Sequence, residues 1–237
     1  MIRIREVTLK IQDHFVLDQV SFDLPLNTLT YLVGCNGSGK SSLLKAIAGN
    51  CAVEGFISFD EKSLATNFIP THQITWVPQL NTQPFPYTVH EFVLLGRFDK
   101  TSFWGDYSIE DIQIVESVLH KWNLDAFRSR QLSQLSGGEL QKVVLAQAYV
   151  RNTPIWLLDE PARFLDPYQR ILLYQLLQEI RQENKTLICI THDEEAFLNQ
   201  PQVNVLGLKE GKICWQGTVN SNNLYQFRET VYGISPN

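Results

Sequence analysis

Cysteine is scarce: Cys35, Cys51, Cys189 and Cys214 are widely spaced and form no C-x-x-C pair. Neither a disulfide framework nor a structural zinc site is expected, and a reducing compartment is the natural setting. No run of about 18 apolar residues occurs, so no segment is expected to span a bilayer. The opening Met1–Glu6 alternates apolar and charged residues and lacks the hydrophobic region of a secretory signal. Positive charge is not in excess, because 20 Lys and Arg stand against 25 Asp and Glu, a net charge of −5. A chain that neutralises nucleic-acid phosphates is normally basic, which disfavours that partner and leaves only a local patch open. Charge of either sign vanishes between Lys62 and Glu91, where polar residues and Pro70, Pro78, Pro84 and Pro86 argue against a membrane segment. There is no repeat, low-complexity tract or charged tail.

The chain does have enough apolar material for a core. Hydrophobic residues make up 44% and charged residues 19% of its 237 residues, which suits one large domain or a domain with a subdomain. Alternation marks strands over residues 2–11 and Val20–Leu24, and Thr28–Gly34 is a short apolar run of the buried kind. A helix is expected from Gly39 to Ala48, stopped by Gly49 and Asn50. Thr88-Val-His-Glu91, Ser108-Ile-Glu-Asp111 and Ser136-Gly-Gly-Glu139 have the spacing of capping boxes. They open helices toward Gly96, His120 and Arg151. Strands at 73–77 and 154–159 flank this helical stretch. Asp166-Pro167 opens a further helix to about residue 183, and Leu187–Ile190 and Val203–Leu208 are strand-like. The pattern is a parallel α/β core interrupted by a helical insertion.

Gly34-Cys-Asn-Gly-Ser-Gly-Lys40-Ser41 matches G-x-x-x-x-G-K-[ST] at every fixed position, after an apolar strand and before a helix. Gly34, Gly37 and Gly39 let the backbone turn successive N–H groups of Asn36, Ser38 and their neighbours toward phosphate oxygens, and the helix N-terminus adds its positive end. Lys40 has the reach for the β- and γ-phosphates, the Ser41 hydroxyl suits Mg2+, and Ser42 completes the binding stretch. Pro154-Ile-Trp-Leu-Leu-Asp159-Glu160 is an apolar strand delivering two carboxylates to the edge of a parallel sheet. Asp159 would hold Mg2+ mostly through water, and Glu160 would orient and polarise the attacking water as general base.

Leu135-Ser136-Gly137-Gly138-Glu139 then resembles the signature of the ATP-binding-cassette (ABC) ATPases. The resemblance covers about residues 2–219, with its motifs in family order. It implies a P-loop NTPase core with a parallel sheet, an N-terminal antiparallel β subdomain and a helical insertion subdomain. The whole chain 1–237 is then one ABC ATPase domain, with a RecA-like core and β subdomain at about 1–84 and 152–237. The helical subdomain carrying the signature spans about 85–151. Ser136, Gly137 and Gly138 offer a second anion site at a helix start. One triphosphate cannot fill both sites of one chain, and the family's solution is a head-to-tail dimer sandwiching ATP. The resemblance also assigns Gln79 as the Q-loop glutamine that reaches Mg2+ and the attacking water. Asp166 becomes the D-loop aspartate and His192 the switch histidine on the γ-phosphate.

Two departures from the family pattern stand out. Ile11 occupies the usual position of the aromatic residue that stacks adenine, and Phe15, the nearest aromatic, is either a substitute or a core residue. In the D-loop, Ala162-Arg163-Phe164 replaces the common small residues, and Arg163 either reaches across the dimer or lies on the surface. Cys35 reads as a small neutral residue at a variable loop position rather than as a redox switch.

Pro84-Phe-Pro-Tyr-Thr-Val-His-Glu-Phe-Val-Leu-Leu-Gly-Arg97 is similar to importer ATPases for iron–siderophore, haem and cobalamin chelates, and less so to those for zinc and manganese. The uncharged stretch ending at Phe85 falls where the family receives a membrane subunit. Expected partners are a second copy, polytopic permease subunits and, through them, a substrate-binding protein, with no nucleic acid. The expected location is peripheral, on the cytoplasmic face of the membrane. Chromosome-maintenance cassettes would need a long coiled coil between Gln79 and Ser136, and ribosomal ones a second motif set; neither is present. A non-hydrolysing scaffold would not need Glu160.

Overall fold

Alternating burial along β1 (Ile2–Ile11) puts Ile2, Ile4 and Val7 inward, and a turn at Gln12-Asp13 sends the chain back as β2 (His14–Leu24). Ile11 pairs with His14 across that turn, and Gln12 takes a left-handed φ of 54° to close it. This pairing starts β2 several residues before the Val20 expected from periodicity alone. The computed structural model describes residues 1–59, 71–79, 86–101, 106–198, 200 and 203–234. The described chain divides into two compact units. The first holds Met1–Trp76, Pro154–Glu160 and Tyr174–Asn237; the second holds Val77–Thr153 and Pro161–Leu173.

The first unit carries two sheets. β4 (Glu54–Phe59) joins β1 and β2 in a three-stranded antiparallel sheet ordered β2-β1-β4. The second sheet comprises β3 (Leu29–Val33), β5 (Ile74–Val77), β6 (Ile155–Asp159), β7 (Thr186–Ile190), β8 (Asn204–Lys209) and β9 (Lys212–Gly217). Its order is β5-β6-β7-β3-β8-β9, parallel across β6-β7-β3-β8 and antiparallel at β8-β9. β3, β6 and β7 are apolar at nearly every position because strands covered on both faces must be.

One core cluster joins both sheets to α1 (Lys40–Ile47): Ile4, Leu17, Leu32, Leu43, Leu157 and Ile188 are all buried in it. Tyr31 alternates with Leu32 along β3 and so faces the other side of the sheet. There it packs near-perpendicular to Tyr174 and tilted against Phe197. Phe197 belongs to the short α6 (Glu195–Leu198), and it meets Phe227 of α7 (Leu224–Tyr232). The mixed architecture, parallel sheet plus antiparallel subdomain, is the one expected from the sequence.

The second unit is mainly helical. α2 (Val89–Leu94), α3 (Ile109–Lys121) and α4 (Gly137–Val150) begin at capping boxes whose reciprocal bonds are all formed. Thr88 N–H donates to Glu91 at 2.8 Å, Ser108 N–H to Asp111 at 3.1 Å and Ser136 N–H to Glu139 at 2.7 Å. The Thr88 helix passes after Leu94 into a 3-10 turn over Leu95–Lys100. Only glycine fits at position 96, because a Cβ there would stand 2.2 Å from the Gln147 carbonyl of α4. Beside it Arg97 donates to buried Asp111 at 2.8 Å and to the Val150 carbonyl at 2.9 Å. α5 (Pro167–Gln182) starts in this unit. Residues 63–70 and 80–85 of the uncharged stretch, including Pro84 and Phe85, lie outside the described residues.

Candidate functional site

The chain after β3 has to turn sharply under the sheet edge, and glycine makes that possible. A Cβ on Gly34, at φ 148°, would stand 2.1 Å from the Leu208 carbonyl, and one on Gly39, at φ 103°, would stand 2.6 Å from the Val16 carbonyl. Left-handed Gly39 is the N-cap of α1 and brings no capping side chain. The first N–H groups of the helix are therefore left by its own geometry to another acceptor. The Ser38 hydroxyl is buried without a hydrogen-bond partner among the described residues, and a ligand at the loop could supply one. Asn36 and Gly37 are exposed at the tip, next to exposed Cys35.

Lys40 is buried, and its ammonium donates to the Gly34 and Cys35 carbonyls at 2.9 and 2.8 Å. Burial lowers its pKa, and the nearby charges of Glu160 and Asp159 act in the opposite direction. Ser41 donates to Asp159 at 3.1 Å, joining the start of α1 to the end of β6. Desolvation raises the Asp159 pKa, with the Ser41 bond working against it. Hydroxyl and carboxylate together present hard oxygens of the type that binds Mg2+. Among the described residues no group of three or more His, Cys, Asp and Glu could hold a metal ion, so a cation here would complete its shell with phosphate and water.

Glu160 follows Asp159 with a left-handed φ of 49°, a strained conformation for a glutamate. Its Oε1 lies 3.2 Å from Nε2 of His192, which stands two residues past β7. Thr191, between them and the strand, is tied to Tyr174 at 3.4 Å and accepts the Asp193 N–H at 3.0 Å. Lys40, Ser41, Asp159, Glu160 and His192 thus meet in the first unit. Ser42 follows on the same helix turn, half-buried.

Gln79 and Ser136–Gly138 belong to the second unit. Gln79 is half-buried two residues past β5. Ser136 uses its hydroxyl as an acceptor for Glu139 N–H, and Gly137 and Gly138 supply the first N–H groups of α4, which have no acceptor within the helix. Gly137 is open: the nearest atom to a Cβ there would be the Phe164 carbonyl at 3.7 Å. Phe15 is no core residue, being 51% exposed with Lys10 Nζ 4.3 Å above its ring; Ile11 is exposed beside it. Arg163 is exposed, its guanidinium 5.6 Å over Phe164.

Sequence reasoning missed one side chain near this segment. Asp166 accepts the Gln169 N–H at 2.8 Å, and Gln169 Oε1 accepts the Asp166 N–H at 3.4 Å, a further capping box at the start of α5. The D-x-x-Q spacing was the available signal.

The family model described as ABC transporter matches residues 17–163. The petrobactin import ATP-binding protein FpuC of Bacillus anthracis is 30% identical over 238 residues, covering 99% of this chain and 87% of that protein. The manganese transport system ATP-binding protein MntB of Halalkalibacterium halodurans is 30% identical over 195 residues, 81% of this chain and 77% of its own. A dimeric structure of a bacterial ABC transporter cassette superposes with a TM-score of 0.75 at 27% identity, covering 92% of this chain and 98% of the other. Over more than half of its length the chain matches one family, and it belongs to the ABC transporters as an ATP-binding, ATP-hydrolysing subunit.

Proposed function

We propose that this chain powers import of an iron chelate, haem or cobalamin-type cargo through separate polytopic permease subunits. It would sit as a peripheral subunit on the cytoplasmic face of the membrane, with a substrate-binding protein acting through the permease. Two copies bind head to tail around two ATP molecules. Lys40 and the loop Gly34–Gly39 hold the phosphates of one ATP, while Ser136, Gly137 and Gly138 of the other copy close over it. Ser41 and Asp159 hold Mg2+, which supplies charge neutralisation on the phosphates when bound.

Glu160 orients the attacking water and takes its proton, and the His192 contact restrains its carboxylate. His192 also reads the γ-phosphate, and Gln79 carries the state of the site to the permease. Phe15 provides the stacking surface for the base in place of Ile11. Closing around ATP and reopening after phosphate leaves is a two-state change that the permease converts into transport.

The observation that supports the hydrolytic reading is the pairing of Glu160 with His192 beside the Ser41–Asp159 bond. For the cargo, the support is a chelate-importer relative that matches this chain almost end to end. Manganese or zinc import is the second reading, favoured by the match to a manganese system over four-fifths of the chain. Proteoliposomes carrying this chain with its permease should hydrolyse ATP faster when a binding protein loaded with ferric chelate is added. Stimulation by Mn2+-loaded binder alone would replace the chelate reading with the second one. Stimulation by neither, with full unregulated turnover, would remove the transport role.

A further inference from the structure

Gly138 is a glycine without a backbone reason. Its φ is not left-handed, and the second position of a helix accepts alanine readily. The space a Cβ would need is filled instead by Gln169: the ideal Cβ would lie 2.4 Å from its Nε2, 2.5 Å from its Cδ and 2.9 Å from its Oε1. The Gln169 amide is thus laid against the Gly138 backbone, while the same Oε1 accepts the Asp166 N–H and the Gln169 N–H donates to Asp166 Oδ1. Two capping boxes are stacked in this way. The side chain that closes the Asp166 box is the floor on which the Ser136 box rests, and an added methyl at 138 would push it off Asp166.

We infer that Gln169 is a positioning residue: it ties the lid Ser136–Gly138 to Asp166 of the same chain, so that the lid meets the opposite copy's triphosphate at a fixed height. The inference rests on the head-to-tail reading. Gln169 touches no substrate; it acts through Gly138. Because the lid serves the partner's nucleotide, the effect of losing Gln169 must appear in trans. Ligand binding at the chain's own Lys40 would be untouched.

The test uses mixed dimers of full chains, both carrying Glu160→Gln to prevent turnover, isolated through two different tags. One chain carries Ser136→Arg and the other Lys40→Ala, which leaves one intact composite site: the cradle of the first chain and the lid of the second. Gln169→Ala placed in the Lys40→Ala chain should weaken ATP retention about tenfold. The same substitution in the Ser136→Arg chain, whose lid is already disabled, should change nothing, and it serves as the folding control. Gly138→Ala in the Lys40→Ala chain should cost about as much as Gln169→Ala, and the two together no more than either alone, because both break one tie. Equal loss in both placements, no loss in either, or multiplying effects of Gly138→Ala and Gln169→Ala would each overturn the tie. Absence of ATP from mixed dimers that retain Gln169 would instead bring down the head-to-tail reading, and the tie's role with it.

Discussion

In the first unit the charged groups find one another within the chain: Ser41 reaches Asp159, Glu160 meets His192, and Lys40 rests on two carbonyls. In the second unit Ser136–Gly138 bear no charge, and their polar groups are organised by a helix cap with Gly137 left open. The carboxylates follow the same division. Burial raises Asp159, whereas capping bonds hold Asp111 and Glu139 below the ordinary carboxylate range. Lys40 and Asp159 both carry a burial penalty that phosphate and a cation would offset, whereas buried Asp111 is matched by Arg97 within its own unit. The Ser136 cap is closed locally, by Glu139 three residues on.

The widest separation between the two regions is expected from Lys40→Ala, which should abolish ATP binding by the isolated chain in calorimetry, while Ser136→Arg leaves that first binding step intact. Equal loss from both would erase the contrast. Next in size, Glu160→Gln should cut turnover by about 10²–10⁴-fold while keeping ATP bound. Light scattering should then find a dimer with ATP and a monomer without it; a monomer at saturating ATP would count against the shared site. Smaller, and confined to stability, is the comparison of two glycines. Gly34→Ala drives a methyl into the Leu208 carbonyl at a strained φ and should cost about 3 kcal/mol. Gly137→Ala meets nothing nearer than the Phe164 carbonyl at 3.7 Å, an ordinary contact, and should unfold within about 0.5 kcal/mol of the parent. Matching thermal shifts would show that the lid is as sterically constrained as the cradle.

The smallest effect belongs to the caps. Ser108→Ala should cost about 1 kcal/mol at neutral pH. Asp111 has its folded pKa depressed, by the Ser108 bond first and Arg97 second. Its contribution is therefore complete above its unfolded pKa of about 4 and drains away as pH falls through the lower folded value. The gap in urea midpoint between parent and Ser108→Ala should hold steady from neutral pH to about 4 and narrow as pH falls below it; a gap that does not narrow would assign the serine a role other than holding ionised Asp111.

What could be read beforehand was local. Thr88–Glu91, Ser108–Asp111 and Ser136–Glu139 each declare a helix start within four residues, and Gly34–Ser41 declares its loop by chemistry that tolerates few alternatives. The elements that escaped depend on distant partners. β4 exists because β1 offers Arg3, Ile4 and Arg5 an edge opposite Ser58, Ile57 and Phe56. β9, half-exposed along its length, is fixed by Val205–Lys209 rather than by its own periodicity. α7 shows its purpose only when Phe227 and Val231 are seen to be buried. Phe15 escaped for a similar reason, since the choice between core and surface turned on a hairpin that pairs it with Lys10.

Glu160 has a backbone that asparagine or glycine would occupy with less strain. If Glu160 is the general base proposed above, a screen rewarding heat resistance alone would drift toward replacing it, gaining robustness and losing hydrolysis. Libraries meant to toughen the subunit have to hold position 160 fixed and look for their gains elsewhere.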